Sequence, residues 1–192
     1  MMRSLDERLN EAEKMIGKPS FRENKGLSNE VGYYIFDYPP KDELYIREWV
    51  EYIRQKNENA PDGFKIVVYD LYDIIINILK EKGYLEKCYA FEEKKGFERI
   101  TKAISSMLRI TESENLIVKY IKERLEPNTV IFIIGIGKCY PILRSHNVLN
   151  NLHQVIDEVP VVMFYPGTYN TQELILFDKL KDDNYYRAFK LV

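Results

Sequence analysis

Short apolar runs alternate with amphipathic stretches along the whole chain. FKIVVYD (64–70), TVIFII (129–134) and VPVVMFY (159–165) are apolar on consecutive positions, and VGYYIFD (31–37) is close to that pattern. Strands buried on both faces carry such runs. The intervening segments have helical spacing instead. Ser4 and Glu7 form a capping box, after which Leu5, Leu9, Ala12 and Ile16 share one face until Gly17. In KDELYIREWVEYIRQ, Ile46, Trp49, Val50 and Ile53 mark a buried face behind the Tyr38-Pro39-Pro40 stop. Leu71, Ile74, Ile75 and Ile78 do the same up to Gly83. Residues 84–126 read as consecutive helices, broken at Lys95-Gly96 and at a Thr111/Glu114 capping box and ended by Pro127. A further helix is expected to start near Pro141. The tail holds two short strand candidates, ELILF (173–177) and YYRAFKL (185–191), around the polar turn KLKDDN.

This order, β-α-β-α, a helical insert and then β-α-β, predicts an α/β fold. Its central sheet is mostly parallel, has about five strands and is flanked by helices in a Rossmann-like, three-layer arrangement. The 84–126 segment is a helical insert within a single domain spanning 1–192. Ligands of such sheets sit beyond the carboxyl ends of the strands. Those ends carry Asp37 to Pro40, Asp70, Gly135 to Lys138, and Tyr165 to Tyr169. In a parallel sheet they share one rim.

Composition narrows the function classes. A chain of 192 residues with 45% hydrophobic and 30% charged residues has an ordinary globular balance. Its net charge of -2 gives no general attraction to nucleic acid or anionic lipid, so direct nucleic-acid binding is not expected. Two cysteines, Cys88 and Cys139, with no CxxC pair fit a reducing, cytoplasmic setting without a structural zinc or disulfide framework. No apolar stretch is long enough to cross a bilayer. The 15 tyrosines are the unusual number, and Tyr33, Tyr34, Tyr38, Tyr169, Tyr185 and Tyr186 are expected in part at the surface.

The glycine turn in VIFIIGIGKCYPILRSH invites comparison with phosphate-binding motifs. Phe132 stands where a Walker loop needs its first glycine, and Cys139 stands where it needs Ser or Thr. Tyr140 occupies the third glycine position of the dinucleotide fingerprint. What remains is an open turn, with Gly135, Gly137, Lys138 and Asp70 as a degenerate phosphate or nucleotide site. Asp70 and Asp37 are otherwise expected to cap the helices that follow them. His146 and His153 lie seven residues apart on one predicted helix without further ligands, so no metal is expected. Cys139, at a predicted helix start, is reactive at best. No catalytic residue and no cofactor emerges.

Five phrases carry a resemblance. YYIFDYPPKDEL (33–44), DLYDIIINIL (70–79), GIGKCYPILRSHNVLNNL (135–152), VPVVMFYPGTY (159–169) and LKDDNYYRAFKL (180–191) are similar to the BrxB family, in order and across nearly the whole chain from Leu5 to Leu191. That family is a small core component of bacteriophage exclusion (BREX) defence systems. The resemblance implies other BREX components as partners: a PglZ-like protein of alkaline-phosphatase fold first, encoded alongside a large ATPase and a DNA methyltransferase. It supplies no catalytic residues. The expected role is a non-catalytic interaction module, with Tyr38, Arg144, His146, Tyr169, Tyr185 and Tyr186 as interface candidates. The alternative is the phosphate site at 135–138.

Overall fold

The computed structural model describes residues 3–23, 32–61, 63–113, 115–153, 156, 159–182 and 188–192. The chain runs α1 (Leu5–Ile16), α2 (Pro19–Arg22), β1 (Tyr33–Tyr38), α3 (Glu43–Glu58), β2 (Lys65–Asp70) and α4 (Leu71–Glu81). The insert follows as α5 (Leu85–Lys95), α6 (Phe97–Met107) and α7 (Leu116–Lys122). Then come β3 (Thr129–Ile134), α8 (Ser145–Leu152), β4 (Val161–Tyr169), β5 (Leu174–Leu176), β6 (Leu180–Asp182) and β7 (Phe189–Lys190).

Five strands form a parallel sheet in the order β2-β3-β4-β1-β7. The first strand therefore sits between β4 and the last. The α3 crossover carries the chain across the sheet to β2, and the later crossovers return on the opposite face, as right-handed connections require. Alternation along each strand divides the core. Phe36, Phe132, Val162 and Phe164 meet α1 and α3 through Leu9, Ile16, Trp49 and Ile53. Ile35, Ile131, Ile133, Val161 and Met163 meet α4, α7 and α8 through Ile74, Ile121 and Leu149. Each fully buried side chain of this size contributes roughly 1.5–3 kcal/mol, so the two faces together fix the register. Tyr33 then lies opposite Val161, and Asp70 opposite Ile134.

Several local expectations hold, and others are corrected. The Ser4/Glu7 capping box is present, and Asp70 caps α4 by accepting from the Tyr72 N–H. The Lys95-Gly96 break separates α5 from α6. The later break is capped by Asn115, whose side chain accepts from the Ile117 and Val118 amides, and Glu114 lies outside the described residues. No helix starts at Pro141: Arg144 is still extended (φ -116°, ψ 154°), and α8 begins at Ser145. The intervening segment instead sends Leu143 into the core. The fourth strand continues through Pro166 and Gly167 to Tyr169; beyond Pro166 it leaves the parallel sheet, and Gly167 to Tyr169 pair antiparallel with β5. The stretch expected as a polar turn contributes β6, paired with β5.

Candidate functional site

The parallel register brings the four strand ends to one rim, and the chain's own side chains occupy it. Gly135 has φ +80°, and a Cβ there would stand 2.3 Å from Asp70 Oδ1. The Asp70 carboxylate thus fills the space over the turn where a phosphate would sit. Lys138 forms an ion pair with the same carboxylate and lies 5.4 Å from the Tyr72 ring centroid. The Lys138 and Cys139 amides donate to Gly135 O and Ile136 O, so both are used inside the turn. A Gly137 side chain would meet the Phe177 ring at 2.9 Å and Pro166 at 3.0 Å. Gly135, Gly137, Lys138 and Asp70 do converge, and they converge on one another. Cys139 is buried, and burial with the Asp70 charge nearby pushes its thiol up to about 12. Such a thiol is inert, which corrects the reading of Cys139 as reactive.

Asp37 does not cap a helix. It lies within β1, 5% exposed, and accepts from Arg8 of α1, the Tyr169 N–H of β4 and Lys190 of β7. A buried carboxylate needs this kind of compensation. The sequence reading named the residue and missed the role, because its partners lie far off along the chain.

The tyrosine expectation divides. Tyr38 and Tyr169 are buried, which corrects their placement on an exposed interface, and Tyr33 is buried as well. Their hydroxyls donate inward: Tyr33 to Ile156 O at 3.0 Å, Tyr169 to Ala188 O at 2.6 Å, and Tyr38 to the Glu43 carboxylate. Burial, followed by the Glu43 contact, raises the Tyr38 phenol far above its ordinary range. Each ring fills core volume while its polar tip ties down a backbone or helix start. Arg144 is exposed and His146 half-buried. His153 stacks on Tyr33 with ring centroids 3.7 Å apart, and among the described residues no three His, Cys, Asp or Glu side chains gather as a metal site. Tyr185 and Tyr186 lie outside the described residues.

A family model for the BREX protein BrxB matches residues 67–191. A BREX protein BrxB from Bacillus cereus (strain H3081.97) is 50% identical over 191 residues, covering 100% of this chain and 99% of the relative. The chain belongs to the BrxB family. A second BrxB, from Escherichia coli O9:H4 (strain HS), is 34% identical over 188 residues, covering 98% of this chain and 92% of the relative. No solved structure shows a significant match. Among the described residues, no helix is long and apolar enough to cross a membrane.

In this BrxB-family chain four exposed aromatics lie close together in sequence in the insert, while Tyr45, Tyr52, Tyr72 and Tyr140 are exposed elsewhere. Tyr84, Tyr89, Phe91 and Phe97 are all exposed, Tyr89 at 57% and Phe97 at 60%. Beside them a cleft of about 180 Å³ runs between α4, α5 and α6, lined by Leu79, Phe91, Ile104 and Met107 among others. No residue of α5 is buried. The sequence signal was present in KCYAFEEKKGFER, where three aromatics stand among charges, but periodicity alone assigned the segment as an ordinary helix pair.

Proposed function

We propose that this chain is a non-catalytic adaptor of a BREX anti-phage defence system, docking a PglZ-like component of alkaline-phosphatase fold. The observation that carries this reading is the exposed aromatic set on α5 and α6. Isolated exposed apolar residues are ordinary, but several aromatics around an apolar cleft are characteristic of partner contacts. The other exposed aromatics among the described residues have local partners or stand alone. Tyr45, for example, donates to Asp6 from α3. The rim is in keeping with this reading: Asp37, Asp70 and Lys138 are engaged in ion pairs and hydrogen bonds that hold strands and helices together.

Family membership supports the BREX setting, and the PglZ-like partner is the one that the resemblance implies first. Co-expression of the tagged chain with the PglZ-like protein of the same system tests the proposal. Retention on the wild-type chain and its loss on a Tyr89→Ser/Phe97→Ser variant of unchanged stability are expected. Failure of the wild-type chain to retain any BREX component removes the adaptor reading. Full retention on the variant moves the docking face away from α5 and α6.

A further inference from the structure

The insert leaves a gap that its own side chains do not close. α5 and α6 form a helical hairpin joined at Gly96, and α5 also packs on α4. Tyr84, Cys88 and Phe91 recur at helical spacing along one side of the gap, and Ile100, Ile104 and Met107 along the other. Between them runs the cleft of about 180 Å³. Leu79 and Ile100 are buried and make its floor, whereas Tyr84 and Phe91 stand 40% exposed at its mouth. Ala103 also lines it and is exposed, so a position facing the gap carries only a methyl group. Helices packed at ordinary interior density fill such a space themselves.

The lining carries one charge. Lys87 belongs to it, and the Glu86, Glu92 and Glu93 carboxylates of the same helix do not. The residues three and four positions from Lys87 are Gly83, Tyr84, Ala90 and Phe91, so its own helix offers it no acid. Its ammonium rests 5.1 Å from the Tyr84 ring centroid, and among the described residues it has no ion pair. Lys102 of α6, outside the lining, does have an acid at that spacing and pairs with Glu98 at 2.8 Å.

We propose that this cleft is a socket for one aromatic side chain of a partner chain, with a carboxylate beside that ring meeting Lys87. The proposal rests on the adaptor reading and names the chemistry of the partner at that surface. Size argues for a single ring. An apolar cavity of about 150 Å³ holds one benzene molecule, and a site for a whole organic ligand begins at roughly 300 Å³. The walls argue for an aromatic rather than a branched aliphatic group, because Tyr84 and Phe91 offer ring contacts and Met107 a sulfur–aromatic one. Lys87 argues for the acid, since a basic partner would bring a second cation to a wall that already holds one. Phe97 lies three positions before Ile100 on the same face of α6 and extends the contact beyond the socket.

Methyl NMR titrations with 3-phenylpropionate, 3-phenylpropanol and 3-phenylpropylamine test the socket, because the three share a ring and differ in head group. At millimolar concentration the acid and the alcohol are expected to shift the Ile104 and Met107 methyl signals. The acid should bind about threefold more tightly than the alcohol, the worth of one exposed ion pair, and the amine most weakly. Lys87→Met should bring the acid level with the alcohol. Ala103→Met fills the gap from an exposed position, so it should abolish the Ile104 shift at an unchanged urea midpoint. In the co-expression experiment the same variant should lose the component that the wild-type chain retains. Equal affinity for acid and amine overturns the acidic partner, and unmoved Ile104 and Met107 signals overturn the socket. Wild-type retention matched by Ala103→Met overturns the socket and leaves the adaptor reading standing. Probe binding by a wild-type chain that retains no component overturns the adaptor reading and assigns the cleft to a free aromatic acid. Movement of the same signals with protein concentration alone overturns the foreign partner and makes the occupant a second copy.

Discussion

Lys190, on the last strand of the sheet, places its ammonium 2.9 Å from the carboxylate of Asp37 on the first. The pair spans 153 positions of sequence, and Arg8 of α1 approaches the other carboxylate oxygen. Strand order makes this possible, because β1 lies between β4 and β7. Asp37 thus fastens the N-terminal helix, the centre of the sheet and the C-terminal strand at one point.

Replacing Asp37 with Ala should cost about 2–4 kcal/mol, since it strands two cations beside a buried wall and orphans the Tyr169 amide. Lys190→Met should cost less, about 1 kcal/mol, because the lysine keeps 38% of its side chain exposed and Arg8 still serves the carboxylate. Urea midpoints of the two variants check the order. Equal costs would mean that Lys190, rather than Asp37, is the centre of the cluster.

At the glycine turn, Asp70 has two duties and Lys138 one. Asp70→Ala removes both the α4 cap, 3.0 Å from the Tyr72 amide, and the ion pair, so it should cost about 1–2 kcal/mol. Lys138→Ala leaves the cap in place and should cost below about 1 kcal/mol. Gly135→Ala should exceed Lys138→Ala, because φ +80° disfavours a side chain and the new Cβ meets the carboxylate. Equilibrium unfolding of the three variants gives the ranking.

The α/β fold and its parallel core were legible because consecutive apolar positions in FKIVVYD, TVIFII and VPVVMFY require cover on both faces. The tail was not. Pro166 and Gly167 read as a strand end, yet β4 continues through them: Pro166 still pairs with Tyr38 of β1, and Gly167 begins the antiparallel pairing with β5. Leu180 and Lys181 are exposed, so an outer hairpin strand had the composition of a turn. The rim was legible as a place, but whether its own side chains fill it was not. Local sequence names Asp37, Asp70 and Lys138, but which charges meet depends on strand order and on Phe177 folding back over Gly137.

The aromatic residues should separate into two classes by stability. Tyr169→Phe loses a hydroxyl bond to Ala188 O and should cost about 1 kcal/mol. Tyr89→Ser and Phe97→Ser remove exposed rings and should stay within about 0.5 kcal/mol of the wild-type chain. Thermal unfolding of the three variants decides the matter. A large loss for Phe97→Ser would make the insert's aromatics part of the core and remove their claim to be a docking surface.

Cys139 supplies a pH dependence with a definite sign. In the folded chain its thiol is held up to about 12, against 9.0 for an unperturbed thiol. Below pH 9 both folded and unfolded chains are protonated, and the group is neutral in the balance. Between about pH 9 and 12 the unfolded chain releases a proton that the folded chain retains, so stability falls as pH rises. Three units correspond to about 4 kcal/mol at the upper limit. Burial also raises the Tyr34, Tyr38 and Tyr69 phenols, which gives alkaline loss of the same sign, so the isolating measurement is a difference. The urea midpoint of the wild-type chain should drop more steeply from pH 8 to about pH 10.5 than that of Cys139→Ala. Parallel slopes would mean that the thiol ionises inside the fold at its ordinary value, and with it that the floor under the Asp70–Lys138 pair is wet.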